Sequence, residues 1–371
     1  MQVPKFQLIG KTLTVRLDNR WPSAGLHSLQ KMPNTGKLTV YPEHTVEQVL
    51  VICSLYEPTR FRQPFFSEFA DSLHSHNPEL AAIPLHYLVH SDAEPVNNTS
   101  EHTVTVIDSF ELTTKLIYDL SVHKHGNTPW HPYTQRVLFL PGKLRPARFT
   151  VLQELMREFP TELVYTLNRR LVCNVGPMST EQQQLNWWIT DIKKMYSNDR
   201  HTGISAEEVV EFALAHETEI ADTDLLRMHD HTQMFSQAQL ETTSLSAIVE
   251  TVPWKNTQFY TEKTYAPIAA GRPFVHYHGV DDYLEHRGYQ LYCDSEPGTK
   301  TEFTRQFLHE PDVHTAQATI QHNLHTLQRN CEHTVNSIVS VFPEYADLTA
   351  QQQIDVLITF RTIEHDTVGA V

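Results

Sequence analysis

Hydrophobic positions along the chain cluster in short runs separated by polar, proline-punctuated stretches. The runs lie at Lys11–Leu17, Val49–Leu55, Leu85–His90, Val104–Ile107, Val137–Leu140, Leu163–Thr166, Leu245–Val249 and Phe274–Tyr277. Lys11–Leu17 alternates through Leu13, Val15 and Leu17. Several others are continuous in Val, Leu and Ile, the pattern of parallel strands buried on both faces. Helical periodicity fills the intervals. In 150–159, Val151, Leu152, Leu155, Met156 and Phe159 form one stripe. Ser205 reads as an N-cap, with Glu208 at the capping-box position and an apolar stripe from Val209 to Leu214. Strand alternating with helix predicts an α/β protein with open parallel sheets.

Beyond about residue 313 the pattern turns helical: Ile320, Leu324, Leu327, Cys331, Val335, Ile338 and Phe342 recur at three- and four-residue spacing. Ile354, Leu357, Ile358 and Ile363 suggest a shorter second helix. The proline-rich stretch from Gly126 to Thr134 reads as a joint between two α/β halves. The expected organisation is an α/β domain over 1–135, a second over 136–313, and C-terminal helices over 314–371 that pack back on the domains.

Composition narrows the function. The 371 residues include 12 glycines, and neither a G-x-G-x-x-G nor a G-x-x-x-x-G-K-[ST] run is present, which removes the main support for dinucleotide-binding and P-loop readings. No apolar stretch is long enough for a membrane span, and the N-terminus lacks a basic start followed by an apolar run. Cys53, Cys173, Cys293 and Cys331 are widely spaced with no C-x-x-C pair, so a reducing, cytoplasmic setting is expected. A net charge of -15 argues against broad coverage of nucleic-acid phosphates. The excess of acid lies almost wholly after residue 136, which leaves the first half near balance. His86 with His90, His229 with His231, and His276 with His278 have no third ligand at diagnostic spacing, and no metal is expected.

The sharpest chemistry lies between 246 and 277. A buried strand ends at Glu250, a loop follows, and a helix starts near Thr261 with Glu262 and Lys263 in its first turn. Free N–H groups and the positive end of the helix dipole favour an anion such as phosphate there. Lys263 adds a mobile positive charge, and a carboxylate such as Glu262 or Glu250 suits the paired hydroxyls of a ribose.

The run Val249-Glu-Thr251, then Thr261-Glu-Lys-Thr-Tyr-Ala-Pro-Ile268, then Gly271-Arg-Pro-Phe274 resembles the donor-binding half of GT-B glycosyltransferases. It is similar in particular to the α-1,3-fucosyltransferase family and its phage and bacterial relatives, through the T-E-K-T motif. The helix expected over Val280–Tyr289 and the R-P-x-R block in Val137–Arg148 fit the same pattern. The resemblance implies two Rossmann-like domains facing a cleft. It implies that Glu262 meets the ribose or base, with Glu250 and Thr261 in the same donor site, that Lys263 neutralises the pyrophosphate, and that Lys143, Arg145 and Arg148 add positive charge where the leaving nucleotide develops negative charge. Ala266 departs from the pattern, since relatives often carry a further lysine there.

The activity so implied is inverting, metal-independent transfer of a sugar from a nucleotide sugar to an acceptor hydroxyl. The nucleotide sugar is a co-substrate, and no other cofactor is expected. Inversion needs a base on the acceptor side. Glu57, after the Val49–Leu55 run, is the first candidate and Asp108, after Val104–Ile107, the second. The acceptor is either a glycan or a hydroxymethylated base in phage DNA. The competing reading is a non-catalytic nucleotide-binding or assembly protein that keeps the fold.

Overall fold

The computed structural model describes residues 5–17, 46–53, 70–71, 73–75, 78–89, 106–127, 129–142, 144–167, 181–197, 203–216, 242–250, 261–278, 281–293 and 299–358. The chain opens with strands β1 (Lys5–Ile9), β2 (Thr12–Leu17), β3 (Gln48–Cys53), β4 (Leu85–Val89) and β5 (Val106–Asp108), then helix α1 (Phe110–His125). Next come β6 (Val137–Gly142), α2 (Pro146–Glu158), β7 (Leu163–Leu167), α3 (Glu181–Tyr196) and α4 (Ala206–Ala215). β8 (Leu245–Val249), α5 (Glu262–Ala269), β9 (Phe274–His278), α6 (Asp281–His286) and α7 (Thr299–His309) follow, and α8 (Val313–Val341) and α9 (Ala350–Ile358) close the described chain. Two compact units result, one of residues 1–116 with 329–371 and the other of 117–328.

In the first unit the sheet runs β1-β2-β3-β4-β5 in chain order. β1 pairs antiparallel with β2 across a two-residue turn, and the remaining pairs are parallel. Gly10 takes the first central position of that turn at φ 56°, a conformation that costs glycine little. Glu344 clamps the same turn, accepting from Lys11 N at 2.7 Å and from Thr12 Oγ1 at 3.1 Å. Thr12 to Val15 and Val49 to Ile52 are all at most 2% exposed, so β2 and β3 are covered on both faces. That burial explains the unbroken apolar run in β3. The carboxyl edge carries Leu17, Cys53, Val89 and Asp108 in register.

The second unit has the strand order β7-β6-β8-β9, all parallel. The chain passes from β6 outward to β7, then returns to lay β8 on the other side of β6. This reversal makes a topological switch point between β6 and β8, and ligands of open α/β sheets bind at the carboxyl ends of such strands. Among the described strands of the first unit no such reversal occurs. Phe139, Phe149, Leu152, Leu155, Val209 and Leu245 belong to a buried core that also takes in Trp188. Phe149 meets Phe212 edge-on at 5.1 Å, which joins α2 to α4. The N-cap read from the sequence is present: Ser205 Oγ accepts from Glu208 N at 3.1 Å. α7 is tied to α2 by Thr301 donating to Glu154 at 2.5 Å and Arg305 donating to Glu158 at 2.8 Å.

Candidate functional site

The ladder between β6 and β8 ends at Phe139 and Ala247. Two residues further along lie Pro141, which has no N–H to donate, and Val249. Arg148, from the first turns of α2, closes that gap: Nη1 donates to the carbonyl of Pro141 at 2.8 Å and Nε to that of Val249 at 3.2 Å. Its residue is 3% exposed. Arg148 thus braces the two strands at the switch point from within the protein. Arg145 occupies the N-cap of α2 with extended backbone and is half-buried, and Pro146 starts the helix. Lys143 lies outside the described residues.

Glu250 follows directly on β8 and is 3% exposed. It holds the N-terminus of α5 in place. Oε1 accepts from Thr261 N at 2.9 Å and from Thr264 Oγ1 at 2.5 Å, and Oε2 accepts from Thr261 Oγ1 at 2.8 Å. Thr261 Oγ1 in turn accepts from Lys263 N at 3.3 Å and so caps α5. The sequence left Glu250 and Glu262 as alternatives for a ligand's hydroxyls. Glu250 thus accepts three hydrogen bonds at the start of α5 and holds that helix against the end of β8. The backbone of Glu262 opens α5, and its side chain lies outside the described residues. Lys263 is the second residue of the helix and is partly exposed. At its other end α5 closes in a Schellman motif, with Arg272 N on Pro267 O at 2.8 Å, Gly271 N on Ile268 O at 3.1 Å, and Gly271 at φ 61°. The helix is therefore fixed at both ends.

Behind α5 stands a buried polar chain that sequence reasoning missed. Thr264 Oγ1 lies 2.9 Å from His276 Nε2 of β9, and His276 Nδ1 lies 3.2 Å from Asp281 Oδ1 at the start of α6. Lys300 Nζ of α7 completes the chain at 3.0 Å from Asp281 Oδ2. Thr264 is 0% exposed, His276 2%, Asp281 5% and Lys300 8%. Burial raises the Asp281 carboxyl, but the His276 contact and the Lys300 ammonium outweigh it and hold the group below its ordinary value. A polar residue in the middle of the apolar run of β9 was the available signal. The sequence pairs it with His278 only as a metal site, which lacks a third ligand and is not expected. His276 instead has Thr264 at one nitrogen and Asp281 near the other.

Of the two base candidates, Asp108 is the last residue of β5, at the carboxyl edge of the first sheet. Glu57 lies outside the described residues. A further carboxylate follows shortly after β5: Glu111, in the first turn of α1, is 1% exposed. Among the described residues no three His, Cys, Asp or Glu side chains converge as metal ligands. No helix among them is long and apolar enough to cross a membrane.

No family model matches the chain, and no curated protein matches it. Among solved structures, the chain is similar to Anabaena Alr3699/HepE in complex with UDP-glucose, at 13% identity over 81% of this chain and 79% of that one, with a TM-score of 0.37. A likeness that loose does not establish a shared fold.

Proposed function

We propose that this chain is a glycosyltransferase that takes a sugar from a nucleotide sugar and passes it, with inversion and without a metal ion, to an acceptor hydroxyl. The observation that carries the reading is the N-terminus of α5, which Glu250 fixes beside the switch point of the second sheet with Lys263 in the first turn. A helix start of this kind suits a diphosphate, because its dipole and a lysine in its first turn act on the same anion. The T-E-K-T resemblance at 261–264 supports the same assignment. Glu262 would meet the ribose or base, and Lys143 and Arg145 would add charge as the diphosphate leaves. Arg148, spent on two backbone carbonyls, would serve by shaping the crevice. The base that takes the acceptor's proton would be Glu57 or Asp108.

Thermal unfolding across a panel of nucleoside diphosphates and nucleotide sugars tests this. A ligand that binds the folded chain alone stabilises it by about 2.7 kcal/mol at a hundred times its Kd. One nucleotide should raise the midpoint, and its sugar conjugate should be consumed when the acceptor is present. A flat panel would remove the donor site. A gel shift at low salt, comparing hydroxymethylated with plain duplex, separates a DNA acceptor from a glycan.

A further inference from the structure

The peptide that joins Leu144 to Arg145 is held from a distant part of the sequence. Tyr196, the last residue of α3, donates its hydroxyl to the Leu144 carbonyl at 3.1 Å, across 52 positions. Tyr196 is 5% exposed and Leu144 2%, so the bond lies inside the protein. The tyrosine belongs to the same buried core as Trp188 and Ile192. A buried tyrosine hydroxyl needs a partner, and this one takes it from the segment that leaves β6. The Leu144 carbonyl needs one equally. The first hydrogen bond of α2 runs from Phe149 N to Arg145 O at 2.9 Å, which leaves Leu144 O outside the helix ladder.

Arg145 is thereby fixed on both sides. Its N–H belongs to the peptide that Tyr196 holds. Its carbonyl accepts from Phe149 N, and Phe149 is fully buried against the edge of Phe212. Pro146 disfavours helical backbone at the residue before it. Arg145 accordingly stands at φ -72° and ψ 156°. With both flanking peptides set, the direction in which its side chain leaves the backbone is set too. Less freedom then remains to be lost when the guanidinium meets an anion. Earlier in the same segment, Gly142 pairs with Leu167 of β7, and Arg148 holds the Pro141 carbonyl at 2.8 Å.

We propose that Tyr196 is a positioning residue for Arg145: its hydroxyl orients the Leu144–Arg145 peptide and so presents the Arg145 guanidinium to an anion beyond the carboxyl end of β6. The inference rests on the reading of Arg145 as a diphosphate contact and adds the residue that aims it. Tyr196 acts through the backbone of that segment and touches no ligand itself.

A double-mutant cycle on the full chain tests this, read by calorimetric titration with ADP, CDP, GDP and UDP in turn. Tyr196→Phe keeps the ring and removes only the hydroxyl. It should weaken the tightest of the four by about fivefold or more, since a misplaced binding group loses much of its effect. Arg145→Ala should weaken it by about tenfold or more, as for loss of a hydrogen bond to a charged group. The double variant should bind within about twofold of Arg145→Ala, because residues that act through one another are not additive. Equal affinity in Tyr196→Phe and the parent overturns the proposal. So do losses that multiply in the double variant, the result expected of a tyrosine that merely supports the core.

The contact itself is read by NMR without ligand. Selective isotope labelling of leucine carbonyl carbon and arginine amide nitrogen marks only Leu-Arg peptides, and the sequence holds Leu144–Arg145 and Leu226–Arg227. Arg227→Lys identifies the second. In Tyr196→Phe the Leu144 carbonyl resonance should move upfield, as carbonyls do on losing a hydrogen bond, and an unmoved resonance overturns the proposal. A parent chain that binds none of the four nucleotides, in which this resonance still depends on Tyr196, would fell the donor-site reading and leave the hold on Leu144 standing.

Discussion

Arg148 Nε donates to the carbonyl oxygen of Val249 at 3.2 Å, across 101 positions of sequence. The contact replaces a ladder bond between β6 and β8 where their pairing has ended and Pro141 has no N–H to donate. A guanidinium suits this place because its rigid fork reaches two carbonyls at once. Arg148→Met should therefore destabilise the protein by about 1–3 kcal/mol, the cost of leaving buried acceptors unsatisfied. Arg148→Lys should recover only part of it. Urea midpoints that match the parent in both variants would show that the brace contributes nothing.

Asp281 supplies an acid-sensitive contribution. Its folded pKa lies below the unfolded value of about 3.9, so the stabilisation is complete above that value and is lost as pH falls through the folded one. Asp281→Asn should be less stable than the parent at pH 7, and the gap should narrow steadily below about pH 4. Parallel losses in the two proteins down to pH 3 would place the acid sensitivity elsewhere.

How much of this was legible in the sequence varied with the element. β8 was readable to the residue, because Leu245 to Val249 is buried on both faces and its sequence is continuous. The start of α4 was equally plain, since Ser205 and Glu208 state the cap locally. β1 was missed: it is a short edge strand whose pairing rests on Gly10 and on Glu344, far along the chain. α1 was missed because Glu111, Thr113 and Thr114 are buried alongside Phe110, Leu112 and Ile117, so polar and apolar residues mix at its buried start. At the site, the start of α5 near Thr261 was legible and the task of Glu250 was not. Its three donors sit eleven and fourteen positions further along the chain. The chain from Thr264 to Lys300 draws on four elements, so no local spacing records it.

The acceptor-side base should separate from donor binding. Loss of a general base costs about 10²–10⁴-fold in rate. Glu57→Gln should lower kcat within that range and leave nucleotide affinity within about threefold, or roughly 0.6 kcal/mol. Near-normal turnover in Glu57→Gln moves the role to Asp108, tested by Asp108→Asn. Normal turnover in both, or a product that retains the donor's anomeric configuration, contradicts the inverting-base mechanism.

Turnover should persist in excess EDTA. Lysine and arginine side chains near the switch point, rather than a divalent ion, are assigned to the leaving diphosphate. Activity lost in EDTA and restored by magnesium or manganese would contradict that assignment.

The central claim is that the first turn of α5 holds a diphosphate, and calorimetric titration of the nucleoside diphosphate selected by the panel, into the parent and into Lys263→Ala, tests it most directly. Lys263 is partly exposed and its backbone N–H already caps the helix, so removing the side chain should leave the fold intact. A hydrogen bond to a charged group contributes about 1.5–3 kcal/mol. Affinity should accordingly fall by roughly tenfold to a hundredfold or more, with the unfolding midpoint of the free protein unchanged. Equal affinity in a folded Lys263→Ala protein would contradict the account.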